Sequence, residues 1–222
     1  MTLTWYRYFQ RNGGLKKAMY RILKKCRNLN LSVDIQLELY DTMVLPVVMY
    51  GCEFWGFEKN NILESFCLQF YKILLGLKKN TPNCILYGEL GRYPIDIFIK
   101  CRMIAFGQRI VCNRQDKIAA VLYKLLYNMH IQHFFHSKWV CCIEKLLNDC
   151  GLSKYWLTQN VPKNVILSKI VKQRLCDQFK QSWSESVFTS AKCLNYRIFK
   201  CLHQFESYIV QLPYDLRKAY CN

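Results

Sequence analysis

Along nearly the whole chain, apolar residues recur every three or four positions, and no stretch alternates apolar with polar at the period of a strand. That spacing stacks apolar side chains on one side of a helix, turn after turn. It restricts the chain to packed helices, so an all-α fold is expected. Glycines and prolines set the breaks. A first helix is predicted from about Leu15, with Leu15, Met19, Ile22, Leu23 and Cys26 inward and Lys17, Arg21, Lys24 and Lys25 outward. A second starts at Ser32 as N-cap and runs into the fifties, kinked or broken by Pro46, which lacks a backbone donor. A third is capped by Asn61 with Glu64 three residues on, a capping-box pattern. Its inward stripe is Ile62, Phe66, Phe70, Ile73 and Leu77, and Gly76 stops it. Thr81 and Pro82 open a short helix that Gly91 ends, and Pro94 opens another running to about Cys112.

Beyond Asn113 the pattern predicts helices over 116–132 and 138–149, then a long one from Pro162. Val171, Leu175, Phe179, Trp183 and Val187 recur there every four residues. A last helix is expected over 190–209, ended by Pro213. The longest apolar run, Met43 to Phe57, contains Glu53 and is shorter than the roughly 20 residues that a membrane span needs. With no apolar leader at the N-terminus, the thirteen cysteines read as reduced, buried small hydrophobes, and the expected compartment is nuclear or cytoplasmic.

Charge gives the first functional direction. Thirty-two Lys and Arg oppose fifteen Asp and Glu, a net charge of +17. An excess of that size attracts polyanions. Residues 1–30 concentrate it, with eight basic side chains and no acidic one. Trp5, Tyr6, Tyr8 and Phe9 interleave there with Arg7 and Arg11, ahead of the basic helix. Cations for phosphates beside rings for bases are what a nucleic-acid surface requires.

Catalytic patterns are weak by comparison. The acidic stripe Asp34, Glu38 and Asp41 reads as a solvated helix face with favourable charge near the helix N-terminus. His130, His133 and His136 are spaced by three, with Cys141 and Cys142 following. The chain has no CxxC; two of the histidines could share a metal, but they read more readily as surface or partly packed groups near a helix end. There is no phosphate-binding glycine loop and no nucleophile signature. No catalytic residue, metal ligand or cofactor is expected.

Two stretches carry more specific information. Residues 37–58 read LELYDTMVLPVVMYGCEFWGFE, and residues 70–111 read FYKILLGLKKNTPNCILYGELGRYPIDIFIKCRMIAFGQRIV. They resemble the segment that follows the polymerase core in reverse transcriptases of non-LTR (LINE-type, jockey-like) retrotransposons. Leu45, Pro46, Tyr50, Gly51, Glu53 and Trp55 match one motif of that family. Thr81, Pro82, Asn83, Tyr87, Gly88, Glu89, Leu90, Gly91, Arg92 and Pro94 match the next. Trp183, Cys193 to Tyr196, Phe199, Lys200, Leu212, Pro213, Leu216 and Arg217 are similar to its downstream extension. Where the family usually has a large aromatic, this chain has Gly107.

The resemblance implies a thumb-like helix bundle over 15–112, a helical extension over 116–222 and an N-terminal tail over 1–14. It also implies a grip on a template–primer duplex through the phosphate backbone, without sequence readout. The expected partners are RNA, DNA or their hybrid, and the catalytic part of a full-length element in trans; no membrane partner is expected. No part of the chain matches the palm with its paired aspartates, so a fragment or remnant without polymerase activity of its own is expected. Lys16, Lys17, Arg21, Lys24, Lys25, Lys78, Lys79, Arg92, Lys100 and Arg102 are the expected phosphate contacts. Pro46, Tyr50, Gly51, Glu53, Trp55, Pro82, Gly88, Glu89, Gly91 and Pro94 are expected to be structural. Within that reading Tyr50 and Trp55 are core, and Glu53 and Glu89 are buried partners for Arg92 or Arg102. The competing expectation is a non-enzymatic helical protein-interaction module whose charge serves solubility.

Overall fold

The computed structural model describes residues 14–58, 61–112, 117–162 and 164–211. The protein is all-α, and among the described residues the sole β feature is an isolated antiparallel bridge between Leu90 and Phe205. No helix among them is long and apolar enough to cross a membrane. The chain divides into two compact units that interleave in sequence. The first comprises Met1–Tyr50, Asn61–Arg92 and Trp183–Asn222, the second Gly51–Asn60 and Tyr93–Ser182. This partition differs from a sequential bundle and extension. The expected boundary at 113–116 and residues 1–13 of the expected tail lie outside the described residues, and Gly14 already belongs to the first helix.

In the first unit, α1 (Gly14–Asn28) buries Met19, Leu23 and Cys26. The second expected helix is divided. α2 (Val33–Leu39) passes into a π-helical turn, Tyr40–Val44, and then α3 (Leu45–Val48). Pro46 explains the widened turn. It offers no N–H to the carbonyl four residues back, and the Leu45 N–H reaches instead to the Tyr40 carbonyl. The Thr42 hydroxyl donates to the Glu38 carbonyl at 2.8 Å, a side-chain bond that accompanies such bends.

α5 (Asn61–Leu75) follows α4 (Cys52–Trp55), which belongs to the second unit. Asn61 is the first helical residue of α5 rather than its cap, and Glu64 accepts the Tyr87 hydroxyl. The inward face is rotated from the expected stripe. Leu63, Phe66, Cys67, Phe70, Tyr71 and Leu74 are buried, while Ile62 is exposed and Ile73 and Leu77 are half-buried. The rotation lets Phe70 stack on the fully buried Tyr40, ring centroids 4.1 Å apart, while the Tyr40 hydroxyl meets Cys67 Sγ at 3.0 Å. Gly76 ends α5 at φ 71°, with the Leu77 N–H on the Lys72 carbonyl at 2.8 Å.

α6 (Asn83–Leu90) begins after Pro82 and ends at Gly91, φ 57°, as expected. Its second half is the densest part of the unit. A Cβ on Gly88 would lie 2.4 Å from the Tyr196 hydroxyl and 2.8 Å from Trp183. One on Gly91 would lie 2.5 Å from the Phe205 backbone nitrogen. Trp183 Nε1 donates to the Cys84 carbonyl at 2.7 Å. Residues 190–211 therefore wrap α6 as a 3₁₀ turn (Ala191–Cys193) and short helices, and the single helix expected over 190–209 does not form. Pairing decides this. The buried Lys200 ammonium donates to the Glu206 carboxylate and the Gln204 carbonyl, and the Glu206 N–H meets the Glu89 carbonyl at 3.0 Å. A continuous helix cannot make these contacts.

In the second unit, α7 (Ile95–Cys112) is buried on several sides through Ile95, Ile97, Ile99, Met103, Ile104 and Ile110. α4 packs on it. Gly56, just beyond α4, leaves no room for a Cβ between Ile99 and Met103, at 2.4 and 2.9 Å. Trp139 covers Gly107 at ordinary contact distance and donates from Nε1 to the Glu53 carbonyl at 2.7 Å, so an indole occupies the space above the missing side chain. α8 (Ile118–Ile131) and α9 (Lys138–Asp149) form a hairpin beside α7, followed by α10 (Ser153–Thr158). α11 (Leu167–Thr189) starts at Leu167, later than Pro162 predicted. Gln108 Oε1 accepts the Leu167 N–H at 3.0 Å and supplies a partner that a helix N-terminus otherwise lacks.

Candidate nucleic-acid interface

The ten cations expected to contact phosphate fall into three structural situations. Lys16, Lys17, Arg21, Lys24 and Lys25 are all exposed on α1. At 100° per residue, Lys17, Arg21, Lys24 and Lys25 span an arc of about 100°, opposite the buried Met19, Leu23 and Cys26. Among the described residues, none of the five has a carboxylate within ion-pair distance. Lys25 and Arg27 also suit the negative end of the helix dipole.

Lys78 and Lys79 are exposed in the turn after α5. One hydrogen bond ties α1 to α5 near this turn, and another ties the turn to α5. Arg27 donates to the Ile73 carbonyl at 3.3 Å, placing the C-terminal end of α1 beside the last turn of α5. Lys72 Nζ donates to the Lys79 carbonyl at 2.7 Å and folds the turn back, and partial burial lowers the pKa of that ammonium. Gln69 Nε2 bonds the Tyr20 hydroxyl at 2.8 Å further along the same pair of helices. Arg27 and Lys72 were not among the expected interface residues. The repeat of α1 could have flagged Arg27; nothing local in sequence marks Lys72.

The remaining three cations have partners inside the fold. Arg92 NH1 meets both Asp41 carboxylate oxygens, at 2.8 and 2.7 Å, with the pair about three-quarters buried on the arginine side. This corrects two expectations. Arg92 is engaged by Asp41, not by Glu53 or Glu89, and Asp41 is no solvated member of an acidic stripe. Lys100 pairs with Asp96 one turn earlier at 2.6 Å. Arg102 lies against Cys52, where burial pushes the thiol up to about 11 and the guanidinium partly offsets it. Lys100 and Arg102 belong to the second unit.

The motif residues have other work. Glu89 is buried and receives the hydroxyl of Tyr208, while the nearby Tyr196 hydroxyl donates to the Ile85 carbonyl at 3.4 Å. Burial, followed by the charge of the Glu89 carboxylate, pushes Tyr196 far above the usual phenol range, so it stays a donor. His203 Nε2 meets the Arg92 carbonyl at 3.0 Å. Gly51 takes φ 67°, a left-handed turn between α3 and α4 that favours glycine. Tyr50 is 65% exposed and Trp55 half-buried, so the expectation that both are core is corrected. No family model matches the chain, and no curated protein or solved structure does.

Proposed function

We propose that the first unit binds nucleic acid through its backbone phosphates, without reading sequence. The observation that carries this is the exposed arc of Lys17, Arg21, Lys24 and Lys25, flanked by Lys16 and free of carboxylate partners among the described residues. Lys78 and Lys79 extend it at the end of α1 marked by the Arg27 to Ile73 bond. Cations with no internal partner bring condensed counterions off a polyanion at little cost in native pairing. The resemblance of residues 37–111 to the post-polymerase segment of non-LTR reverse transcriptases supports a template–primer duplex as the ligand and a thumb-like role. Any polymerase chemistry would then come from a separate catalytic part.

A titration of duplex against the full chain at two salt concentrations tests this. The four phosphate contacts of the arc predict roughly a 150-fold loss of affinity between about 50 and 200 mM salt. Absence of binding at low salt, or binding indifferent to salt, contradicts the proposal.

A helical protein-interaction module remains the second reading, and α8 favours it. Ile118, Val121, Leu122 and Leu125 are all more than half exposed at i, i+3, i+4 and i+7, an apolar stripe facing outward. Changing Val121 and Leu125 to Gln would leave nucleic-acid affinity intact if α1 is the functional surface.

A further inference from the structure

The α8–α9 hairpin gathers a second set of groups, remote in chemistry from a phosphate surface. Helical spacing does not bring them together. α8 ends at Ile131, so His133 and His136 lie beyond it. His133 takes a left-handed conformation, φ 59°, and the Phe134 N–H returns to the Met129 carbonyl at 3.0 Å. This closure folds the loop back and lays the His136 ring edge-on against His130, centroids 4.8 Å apart. Cys141, in the first turn of α9, approaches from the other side.

The polar atoms are well disposed. His130 Nδ1 lies 2.9 Å from His136 Nδ1 and 3.8 Å from Cys141 Sγ. All three atoms fall within 4.8 Å of one another. Tetrahedral zinc, with bonds of about 2.0–2.1 Å to nitrogen and about 2.3 Å to sulfur, needs ligand atoms about 3.3–3.6 Å apart. Each pair of atoms lies within about 1.2 Å of that separation, a change that side-chain torsions can supply.

The other ring nitrogen of His130 is also placed for the task. Its Nε2 meets the Glu144 carboxylate at 2.9 Å. A carboxylate only accepts, so Nε2 carries the proton and Nδ1 presents a lone pair. The carboxylate thereby fixes tautomer and ring orientation, as carboxylate partners do for metal-bound histidines. His130 is 8% exposed and packs on the buried Trp156, ring centroids 5.9 Å apart, so the site has one dry wall. His136 is exposed and Cys141 half-buried, which gives an ion a way in.

We propose that His130 Nδ1, His136 Nδ1 and Cys141 Sγ form a zinc site, with Glu144 orienting His130. Two imidazoles and a thiolate are a borderline-soft set that suits zinc over magnesium or calcium. On binding, the Cys141 thiol releases its proton to solvent, and the His136 proton moves to Nε2. Three protein ligands leave a fourth position for water or an added ligand. The ion would pin the His136 loop between α8 and α9.

Cobalt titration of the reduced full chain tests the site, because tetrahedral cobalt with a thiolate ligand shows strong visible bands and a sulfur charge-transfer band. One cobalt per chain, displaced by zinc, is expected. Cys141→Ser should abolish the charge-transfer band, whereas Cys112→Ser, at an exposed thiol outside the cluster, should keep it. His136→Gln replaces an exposed side chain, leaves helix content unchanged and should lose the bound ion. Glu144→Gln should weaken the metal about 10–100-fold. No cobalt uptake by the parent chain, or a band that survives both Cys141→Ser and His136→Gln, overturns the proposal.

Discussion

Helix α1 and the segment from Tyr87 to Arg92 stand in one unit; the first stands out in sequence by charge, the second by a motif expected to be structural except for Arg92, an expected phosphate contact. The structure treats them oppositely. On α1, four cations share an outward arc, and no carboxylate pairs with them among the described residues. In the second segment almost every polar group is answered from within: Tyr87 by Glu64, Glu89 by Tyr208, and Arg92 by Asp41. Its two glycines are filled against by Trp183, Tyr196 and Phe205. A distinctive motif can thus be a packing device, while a compositionally plain basic helix keeps its charge available. Substitutions in the motif should cost stability, and substitutions on α1 should cost binding.

The largest effect expected is on stability. Gly91→Ala adds a Cβ against the Phe205 backbone at a left-handed position and should cost about 3 kcal/mol, combining backbone strain with overpacking. Urea unfolding followed by tryptophan fluorescence measures it; a loss below about 1 kcal/mol would mean that residues 204–205 do not close on α6 as described. Next comes binding. Neutralising Lys17, Arg21 and Lys24 together with Gln should lower duplex affinity roughly 100-fold at low salt and flatten the salt slope by about 2.7. Unfolding free energy should move by less than about 0.5 kcal/mol, because surface positions without partners contribute little.

Arg92→Met should show the reverse. Loss of a half-buried two-oxygen contact with Asp41 should cost about 1 kcal/mol of stability, while duplex affinity changes less than about twofold. A large affinity loss in that variant would place Arg92 in the interface despite its partner. The smallest effect is expected for Lys16→Gln, since Lys16 lies about 80° around α1 from the nearest member of the basic arc. A drop of less than about threefold, by fluorescence anisotropy, would confine the contact surface to that arc.

What was legible in the sequence divides along the same line. Local rules located α1, the Gly76 stop, the Pro82 to Gly91 helix and the Ile95 start, because each depends on one residue's backbone chemistry. The inward face of α5 was misplaced by a fraction of a turn, since Tyr40 stacking, which sets its phase, comes from another helix. The region 190–209 could not be read as wrapped rather than helical, because the Glu89 carbonyl that anchors Glu206 lies more than a hundred residues earlier in the sequence. The residues His130, His136 and Cys141 were noticed in the sequence but not read as one site, because the left-handed turn at His133 that brings them together has no local signature. The charge of α1 was legible because exposure of a basic face needs only one buried stripe opposite it.

The most direct measurement is the salt dependence of duplex binding for three full-length proteins side by side: the parent chain, the Lys17, Arg21 and Lys24 triple variant, and Arg92→Met. The account predicts a steep slope for the parent, a slope shallower by about 2.7 for the triple variant, and a parental slope for Arg92→Met. Equal slopes for parent and triple variant would contradict the claim that α1 is the phosphate-binding surface.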